Sequence, residues 1–261
     1  MLETTVNGDR AYNARTTRRA VSLLLSENDC KFGSLRIDQT VKTPIGSGFG
    51  ASAASATSAV YAAADAAGII KSKKDIALYA HEAEIFEQTG LGTVSVVFDS
   101  VGAGAITVPG APGEARFITV DVPGDLRLVT AFVAPYDKKD ALSSPSMGER
   151  INSLGNKALK SFLSDPTIDS LASEGERFSK NLGLETPEVR KLMRIAKSAG
   201  ATHASQNMIG YSVHSLAFAE TSGKVAEALR AYSSEIRVDI FQVGRVRAGV
   251  RKPSRRSRGP S

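Results

Sequence analysis

Apolar and polar residues follow two different periods along the chain, and this mixture predicts both helices and strands. A helical period predicts an amphipathic helix over 16–25, and Leu35, Ile37 and Val41, which fall on alternate positions, predict a half-buried strand over 35–41. An alanine-rich run without Gly or Pro predicts a second helix over 53–67. A third helix is predicted over 73–88, with Ser72 as its N-cap.

Beyond residue 100 the alternation of strands and helices continues. Thr186, followed by Pro187 at the first helical position, predicts the start of one of these helices. The other predicted segments are strands over 102–108, 127–134, 213–219 and 235–243, and helices over 146–163, 170–182 and 223–231. Dense Pro and Gly over 113–125 predict a seam. We therefore divide the chain into domains over 1–120 and 121–243, followed by a basic tail over 244–261.

A glycine-rich loop lies between the predicted strand over 35–41 and the alanine-rich helix. Its sequence is P-I-G-S-G-F-G-A-S-A. Glycines let backbone N–H groups approach a ligand closely, and the first turn of a helix adds unpaired N–H groups and a partial positive charge. The pattern predicts a phosphate site. Its predicted contacts are Pro44, Gly46, Ser47, Gly48, Phe49, Gly50, Ala51, Ser52 and Ala53.

Several classes of phosphate-binding protein use such loops. The loop is not a Walker A motif, because no Gly-Lys-Ser/Thr sequence closes it. It formally satisfies G-x-G-x-x-G/A, the fingerprint of dinucleotide-binding folds, which also need an acidic residue at the end of a second strand. Asp65 has roughly the right spacing but lies inside the alanine-rich helix. A nicotinamide-dependent oxidoreductase is therefore a weaker alternative.

The stretch P-I-G-S-G-F-G-A-S-A-A resembles the second motif of the GHMP small-molecule kinases, and it is most similar to that of the archaeal pantoate kinases. The resemblance implies ATP-dependent phosphorylation of a hydroxyl on a small hydroxy acid, with pantoate, a precursor of coenzyme A, as the first candidate. It also implies a two-domain α+β fold. The N-terminal domain would be like domain 2 of ribosomal protein S5, and the C-terminal domain would be ferredoxin-like. Mevalonate, homoserine and shikimate stay open as other acceptors.

Phosphoryl transfer needs a divalent ion, and Mg²⁺ prefers oxygen ligands. Ser52 offers a hydroxyl at the mouth of the loop, and Glu84 lies on the predicted helix over 73–88. The segment A-E-x-x-x-x-T-G-L-G resembles the part of pantoate kinases that carries the metal-binding glutamate. The resemblance implies that Ser52 and Glu84 hold Mg²⁺, and that Gly90 and Gly92 contact the substrate.

The chain departs from that family at Thr93, where the relatives have an aspartate that is taken as the base or charge partner for the acceptor hydroxyl. A threonine cannot accept a proton at neutral pH. Asp99 is no easy substitute, because six residues along a helix place it about 120° off the face. Three accounts stay open: transfer without a base, as in relatives such as homoserine kinase that lack this aspartate, a different acceptor, or lost catalysis. We keep Thr93 as a candidate catalytic position.

The resemblance extends over most of the chain. The segments Tyr12–Leu25 and Pro109–Gly113 are similar to pantoate-kinase segments, and A-S-Q-N-M-I-G resembles an altered third motif that approaches the nucleotide phosphates. It implies nucleotide contacts from Ser205 and Asn207. Nothing before Ala11 resembles the family's first strand and its Pro-Gly-His motif. We therefore expect either a late annotated start, with N-terminal strands missing, or an incomplete acceptor pocket.

Two basic residues of the second half, Lys139 and Arg150, are candidates to pair with a substrate carboxylate. His203 and His214 have no acidic residue or cysteine at ligand spacing, so they do not predict a metal site. The habits of the relatives imply a homodimer.

Composition limits the remaining functions. One cysteine in 261 residues excludes an internal disulfide and indicates a reducing compartment. The chain has neither a signal-peptide layout at its start nor an apolar run of membrane length, so we expect a cytoplasmic protein. The net charge of +6 arises from seven basic residues after Asp239. Without them the rest of the chain has a net charge of about −1. The composition of the tail predicts disorder. A solvated terminus is the first interpretation, and weak contact with RNA is the alternative; no specific nucleic-acid site is predicted.

Overall fold

A computed structural model describes residues 2–30, 34–90, 92–135, 144–208 and 210–244. Lys139 and the basic tail from residue 245 onward lie outside these described residues, so their predictions stay untested. The division of the chain at residue 120 also stays a prediction.

Four described helices and four strands make up the first half. The helices are α1 (Arg15–Glu27), α2 (Ala51–Ala67), α3 (Lys73–Glu87) and α4 (Thr93–Asp99), and the strands are β1 (Leu2–Val6), β2 (Leu35–Gln39), β3 (Ala103–Val108) and β4 (Arg116–Val120). Strands β1 and β2 pair in parallel, and β3 and β4 pair antiparallel. As predicted, Ser72 caps α3, because its hydroxyl accepts a hydrogen bond from the Asp75 N–H at 3.1 Å.

Two short strands of this half escaped prediction. Nothing before Ala11 was expected to form a strand, yet β1 lies there, with Leu2 opposite Leu35 in register. Strand β4 lies inside the predicted seam over 113–125. Each has only five residues and is paired with another strand: β1 with β2, about 30 residues away, and β4 with the preceding strand β3.

Helices α1, α2 and α3 pack pairwise against one another, and small side chains let them approach closely. Ala53, Ala56 and Ala80 are completely buried at these contacts, together with Leu24 and Val60. The alanine-rich sequence of α2 therefore serves packing as well as helix propensity.

The second half forms a four-stranded antiparallel sheet with helices. In chain order the elements are β5 (Leu126–Ala134), α5 (Pro145–Ser164), α6 (Ile168–Leu182), α7 (Pro187–Ser198), β6 (His203–Gln206), β7 (Tyr211–Phe218), α8 (Ala219–Arg230) and β8 (Arg237–Gln242). The strand order is β6-β7-β5-β8. This is the βαββαβ arrangement of the ferredoxin-like fold, with extra helices between β5 and β6, and it confirms the predicted fold class.

Helices α7 and α8 pack on the sheet and enclose the core of this half, where Val129, Leu192, Val213 and Leu229 are completely buried. Helix α6 contacts β6 on one side and β3 of the first half on the other. Among the described helices, none is both long and apolar enough to span a membrane.

Candidate active site

The glycine loop connects β2 to α2 and has an unusual backbone. Gly46, Gly48 and Gly50 all have φ between 71° and 84°, a region that side chains with a Cβ rarely adopt. Gly50 is the N-cap of α2, and no side chain caps this end of the helix. The loop is therefore shaped by its glycines, and it leads directly into a helix N-terminus that favours negative charge.

The other predicted loop residues have distinct positions. Pro44 and Ser47 are buried, and the Ser47 hydroxyl donates to the Pro44 carbonyl at 2.5 Å. Phe49 is half-buried, whereas Ala51 and Ala53 lie buried in the first turn of α2. Only main-chain atoms of these two alanines are suited to contact a ligand.

Ser52 and Glu84 lie together, as the sequence predicts. The Ser52 hydroxyl donates to Glu84 Oε1 at 2.7 Å, and the Thr89 hydroxyl lies 3.4 Å from the same oxygen. Glu84 is only 1% exposed, although it carries a carboxylate. A Cβ on Gly90 would lie 2.9 Å from that carboxylate, so a glycine lets the chain turn closely past it.

Thr93 is the first residue of α4 and lies against the loop. Its Cγ2 atom is 2.8 Å from the position that a Cβ on Gly50 would occupy. Asp99, at the other end of α4, accepts a hydrogen bond from the Gly113 N–H at 2.7 Å. The carboxylate of Asp99 is therefore engaged with the Pro-Gly turn, as expected for a residue off the Thr93 face.

The predicted third motif also reaches the loop, but through a different contact from the one expected. Asn207 Nδ2 donates to the Ser47 carbonyl at 2.9 Å. Ser205 is buried in β6, and its hydroxyl lies 3.5 Å from the Gly175 carbonyl. Nucleotide contacts by these two residues stay predictions.

A buried serine that the sequence analysis did not identify contacts the loop as well. Ser212, on β7, donates its hydroxyl to the Ser47 carbonyl at 2.5 Å. The strand was predicted to begin at residue 213, one position too late to include it. No local pattern marks Ser212, because its partner lies 165 residues away.

Arg150 has an internal partner. Its guanidinium donates to the Asn181 carbonyl at 2.6 Å and so joins α5 to the end of α6. The predicted contact of Arg150 with a substrate carboxylate stays untested.

A cavity of about 420 Å³ lies between β3, α5 and α6. It is lined by Ala105, Ile106, Ile151, Asn152, Gly155, Asn156, Ala158, Leu159, Phe162, Leu171, Glu174, Gly175 and Phe178. Ile106 links it to the loop region, because its Cδ1 is 3.1 Å from where a Cβ on Gly92 would lie. A second depression, of about 500 Å³, lies between α7 and α8, and its lining includes Lys191 and Arg194 but no loop residue.

The lining of the first cavity is mostly apolar. Two amides, Asn152 and Asn156, lie one helical turn apart on α5. The one charged residue among its described lining is Glu174, whose Oε1 accepts hydrogen bonds from Ser161 and Arg177. The cavity therefore suits an organic ligand with an apolar body and a few polar groups.

The donor set at Ser52 and Glu84 fits Mg²⁺. Both side chains offer oxygen, and the two oxygens are already within 2.7 Å of each other. Over the described residues, no group of three or more His, Cys, Asp or Glu side chains is arranged to hold a metal. Mg²⁺ is commonly held by one or two protein ligands, and phosphates and water complete its shell. A phosphate-bound Mg²⁺ is consistent with both observations.

Comparison with known families and proteins agrees with this geometry. Residues 15–98 match the family model described as GHMP kinases N terminal domain. The chain is 24% identical over 238 residues to pantoate kinase of Methanocaldococcus jannaschii, which covers 90% of this chain and 84% of that protein. It is 27% identical over 202 residues to mevalonate kinase of Pyrococcus horikoshii. That match covers 72% of the chain but only 60% of the mevalonate kinase.

Solved structures share the fold along nearly the whole chain. A structure described as a phosphotransferase related to CoA biosynthesis pathway superimposes with a TM-score of 0.80 at 23% identity, covering 94% of this chain and 79% of that one. A homoserine kinase from Cytophaga hutchinsonii superimposes with a TM-score of 0.65 at 18% identity, covering 94% and 83%. Residues 15–98 are thus similar to the N-terminal domain of the GHMP kinases, and the chain as a whole is similar to pantoate and mevalonate kinases in sequence and shares the fold of the solved kinase structures.

Proposed function

We propose that this chain is an ATP-dependent kinase that transfers the γ-phosphoryl group to a hydroxyl of a small hydroxy acid, with (R)-pantoate as the first candidate. The observation that carries the proposal is the contact of Ser52 with Glu84 at the mouth of the glycine loop. It joins an oxygen pair suited to Mg²⁺ to a helix N-terminus suited to phosphate.

The loop residues have distinct roles in this proposal. Backbone N–H groups from Gly46 to Ala53 bind the ATP phosphates, assisted by the positive end of α2. Ser52 and Glu84 hold Mg²⁺, which neutralises charge on the phosphate oxygens when it is bound. The Thr93 side chain lies against Gly50, and this contact supports the proposal that Thr93 is near the point where phosphate and acceptor meet.

The cavity lined by Ile106, the neighbour of Gly92, is the proposed acceptor site, and Gly90 and Gly92 are the proposed substrate contacts from the preceding turn. The acceptor oxygen bonds to the γ-phosphorus, the bond from that phosphorus to the ADP oxygen breaks, and the hydroxyl proton passes to solvent or to a phosphate oxygen. Thr93 does not take this proton, since a threonine hydroxyl is not a base at neutral pH. Positioning and charge neutralisation therefore carry the reaction.

Mevalonate is the second candidate acceptor, because mevalonate kinases of Pyrococcus also match the chain. The pantoate match extends over more of both chains, 90% and 84% against 72% and 60%. That difference in coverage favours pantoate. A cytoplasmic location and a homodimer stay predictions.

The test is a kinase assay with Mg-ATP and a panel of pantoate, mevalonate, homoserine and shikimate, with products identified by mass spectrometry. We expect ADP and 4-phosphopantoate in equal amounts. Phosphorylation of mevalonate alone would shift the proposal to the second acceptor, and no phosphorylated product from any of the four would reject it.

The variant Thr93→Asp belongs in the same assay, since it restores the residue of the relatives. A large gain in rate would indicate that this chain is an impaired relative that lost its base. An unchanged or lower rate is the result that we expect from a site that operates without one.

A further inference from the structure

The carbonyl of Ser47, in the middle of the glycine loop, is held by two donors from the second half of the chain. Asn207 Nδ2 lies 2.9 Å from it and Ser212 Oγ lies 2.5 Å from it. Ser47 is 1% exposed and Ser212 is completely buried. The Ser212 hydrogen bond is therefore shielded from water, whereas the Asn207 hydrogen bond is part-buried, and both join segments more than 150 residues apart in sequence.

The backbones around this carbonyl approach so closely that only glycine fits on either side. A Cβ on Gly48 would lie 2.4 Å from the Asn207 carbonyl oxygen, and a Cβ on Gly210 would lie 2.6 Å from the Ser47 carbonyl oxygen. The turn that carries Asn207 is closed by a hydrogen bond from the Gly210 N–H to the Asn207 carbonyl at 2.9 Å. The loop thus rests on a turn that is itself held in place.

Fixing one carbonyl also fixes the orientation of its peptide plane. In a trans peptide the C=O and the following N–H point in opposite directions. Because the Ser47 carbonyl points at the β6–β7 turn, the Gly48 N–H points away from that turn. The two donors therefore determine where an N–H group of the proposed phosphate-binding loop is directed.

We infer that Asn207 and Ser212 are positioning residues of the nucleotide loop. They hold the Ser47 peptide in the orientation that the phosphates require, and they do not themselves touch the nucleotide. The inference rests on the proposed function. It gives Asn207 a role different from the phosphate contact implied by its motif, and it assigns a role to Ser212.

The chain offers a matched control for this role. Ser212 and Ser215 lie on the same strand, both are completely buried, and each donates its hydroxyl to a main-chain carbonyl. The partner of Ser215 is Val129 of β5, 3.0 Å away, within the sheet. Ser212→Ala and Ser215→Ala therefore remove equivalent hydroxyls, and only one of them supports the loop.

The first experiment measures binding of Mg-ADP by isothermal titration calorimetry to the full chain and to both variants, with urea unfolding midpoints in parallel. We expect both variants to lower the midpoint by similar amounts. Ser212→Ala should raise the dissociation constant about five- to thirty-fold, whereas Ser215→Ala should leave it within about two-fold of the wild type. Asn207→Ala should act in the same direction as Ser212→Ala. Equal affinity in Ser212→Ala and wild type, or equal losses in both serine variants, would overturn the inference.

Amide hydrogen exchange of the loop peptide provides a second readout without any nucleotide. Ser212→Ala should accelerate exchange across residues 44–50 relative to Ser215→Ala, and equal rates would contradict the positioning role of Ser212. If the wild type binds no adenine nucleotide, the proposed function fails, while the exchange rates still decide whether Ser212 holds the loop.

Discussion

At the scale of single residues, Glu84 has the most demanding environment in the candidate site. A buried carboxylate is costly unless it is hydrogen-bonded or placed beside a cation. Ser52 and Thr89 both approach its Oε1 atom, at 2.7 and 3.4 Å. In the proposed function this carboxylate binds a cation that arrives with the nucleotide, and that proposal can be tested directly.

We predict that Glu84→Gln lowers kcat/KM by at least about 100-fold, because the amide keeps the shape of the side chain but loses the charge that binds Mg²⁺. The measurement is the initial rate of ATP-dependent phosphorylation as a function of Mg²⁺ concentration. The variant should need far more Mg²⁺ to reach half of its maximal rate.

Glu87→Gln is the matched control for this variant. Glu87 lies one turn further along α3 and pairs with Arg19 at 2.9 Å, outside the loop. The Glu87→Gln variant should retain the Mg²⁺ dependence of the wild type. If Glu84→Gln shows that same dependence, the assigned metal role is wrong.

The residues of the site differ in how far a sequence can identify them. Ser52 and Glu84 belong to segments that resemble motifs of the GHMP kinases, and it was this resemblance that implied a shared role for them. Ser212 has no such pattern, since its role depends on a hydrogen bond across 165 residues. Asn207 belongs to a motif, but its nearest partner is a carbonyl that only the folded chain brings to it.

At the scale of elements, local signals explain why most helices were predicted. Thr186 caps α7 as expected, because its hydroxyl accepts from the Val189 N–H at 3.2 Å. The short strand β6 was missed within a region of small residues. Its sequence H-A-S-Q has no clear alternation, and its extended shape comes from pairing with β7. Capping is local, whereas the conformation of a four-residue strand depends on its neighbour.

The start of α2 leads to a prediction about the loop as an element. Gly48→Ala should destabilise the protein by more than about 1 kcal/mol and weaken nucleotide binding. The alanine would have to adopt the positive φ of 84°, and its Cβ would overlap the Asn207 carbonyl. Urea unfolding and Mg-ADP titration measure the two effects.

Gly148→Ala is the control for that substitution. Gly148 lies in the first turns of α5, and a Cβ there would meet nothing within 4 Å. Alanine is a better helix former than glycine, so the free energy of unfolding of this variant should increase by up to about 1 kcal/mol. Equal effects of the two substitutions would show that the space and backbone around Gly48 impose no special constraint.

At the scale of the whole molecule, two separate cores are joined beside the glycine loop. One core lies among α1 to α4, and the other lies between the four-stranded sheet and helices α7 and α8. Contacts from the second half reach the loop at Ser47 and the segment before it at Lys42, whose carbonyl accepts from Arg237 at 2.7 Å. The architecture could be anticipated from a resemblance in the motifs, but these contacts between the halves could not, since nothing local encodes them.

Global stability should also depend on pH through a histidine of the central sheet. His214 lies on β7, opposite Thr130 on one side and Ser205 on the other. Its Nδ1 is buried with no hydrogen-bond partner among the described atoms. Burial lowers the pKa of His214 below its ordinary value of 6.5, and the charge of Glu176 opposes this shift only in part. The folded protein therefore resists protonating this ring, while the unfolded chain protonates it readily.

The unfolded state accordingly binds more protons than the folded state once the pH falls below about 6.5, so the free energy of unfolding should decrease on acidification. A difference of one bound proton between the two states changes the free energy of unfolding by at most about 1.4 kcal/mol per pH unit. Urea unfolding between about pH 7 and pH 5, followed by circular dichroism, should show this slope, and His214→Gln should flatten it. Burial also lowers the pKa of His81, so His81→Gln should reduce the pH dependence of the free energy of unfolding further, in the same direction. A slope that persists undiminished in His214→Gln would mean that this ring binds a proton as readily in the folded protein as in the unfolded chain, and the assigned role of His214 would be wrong.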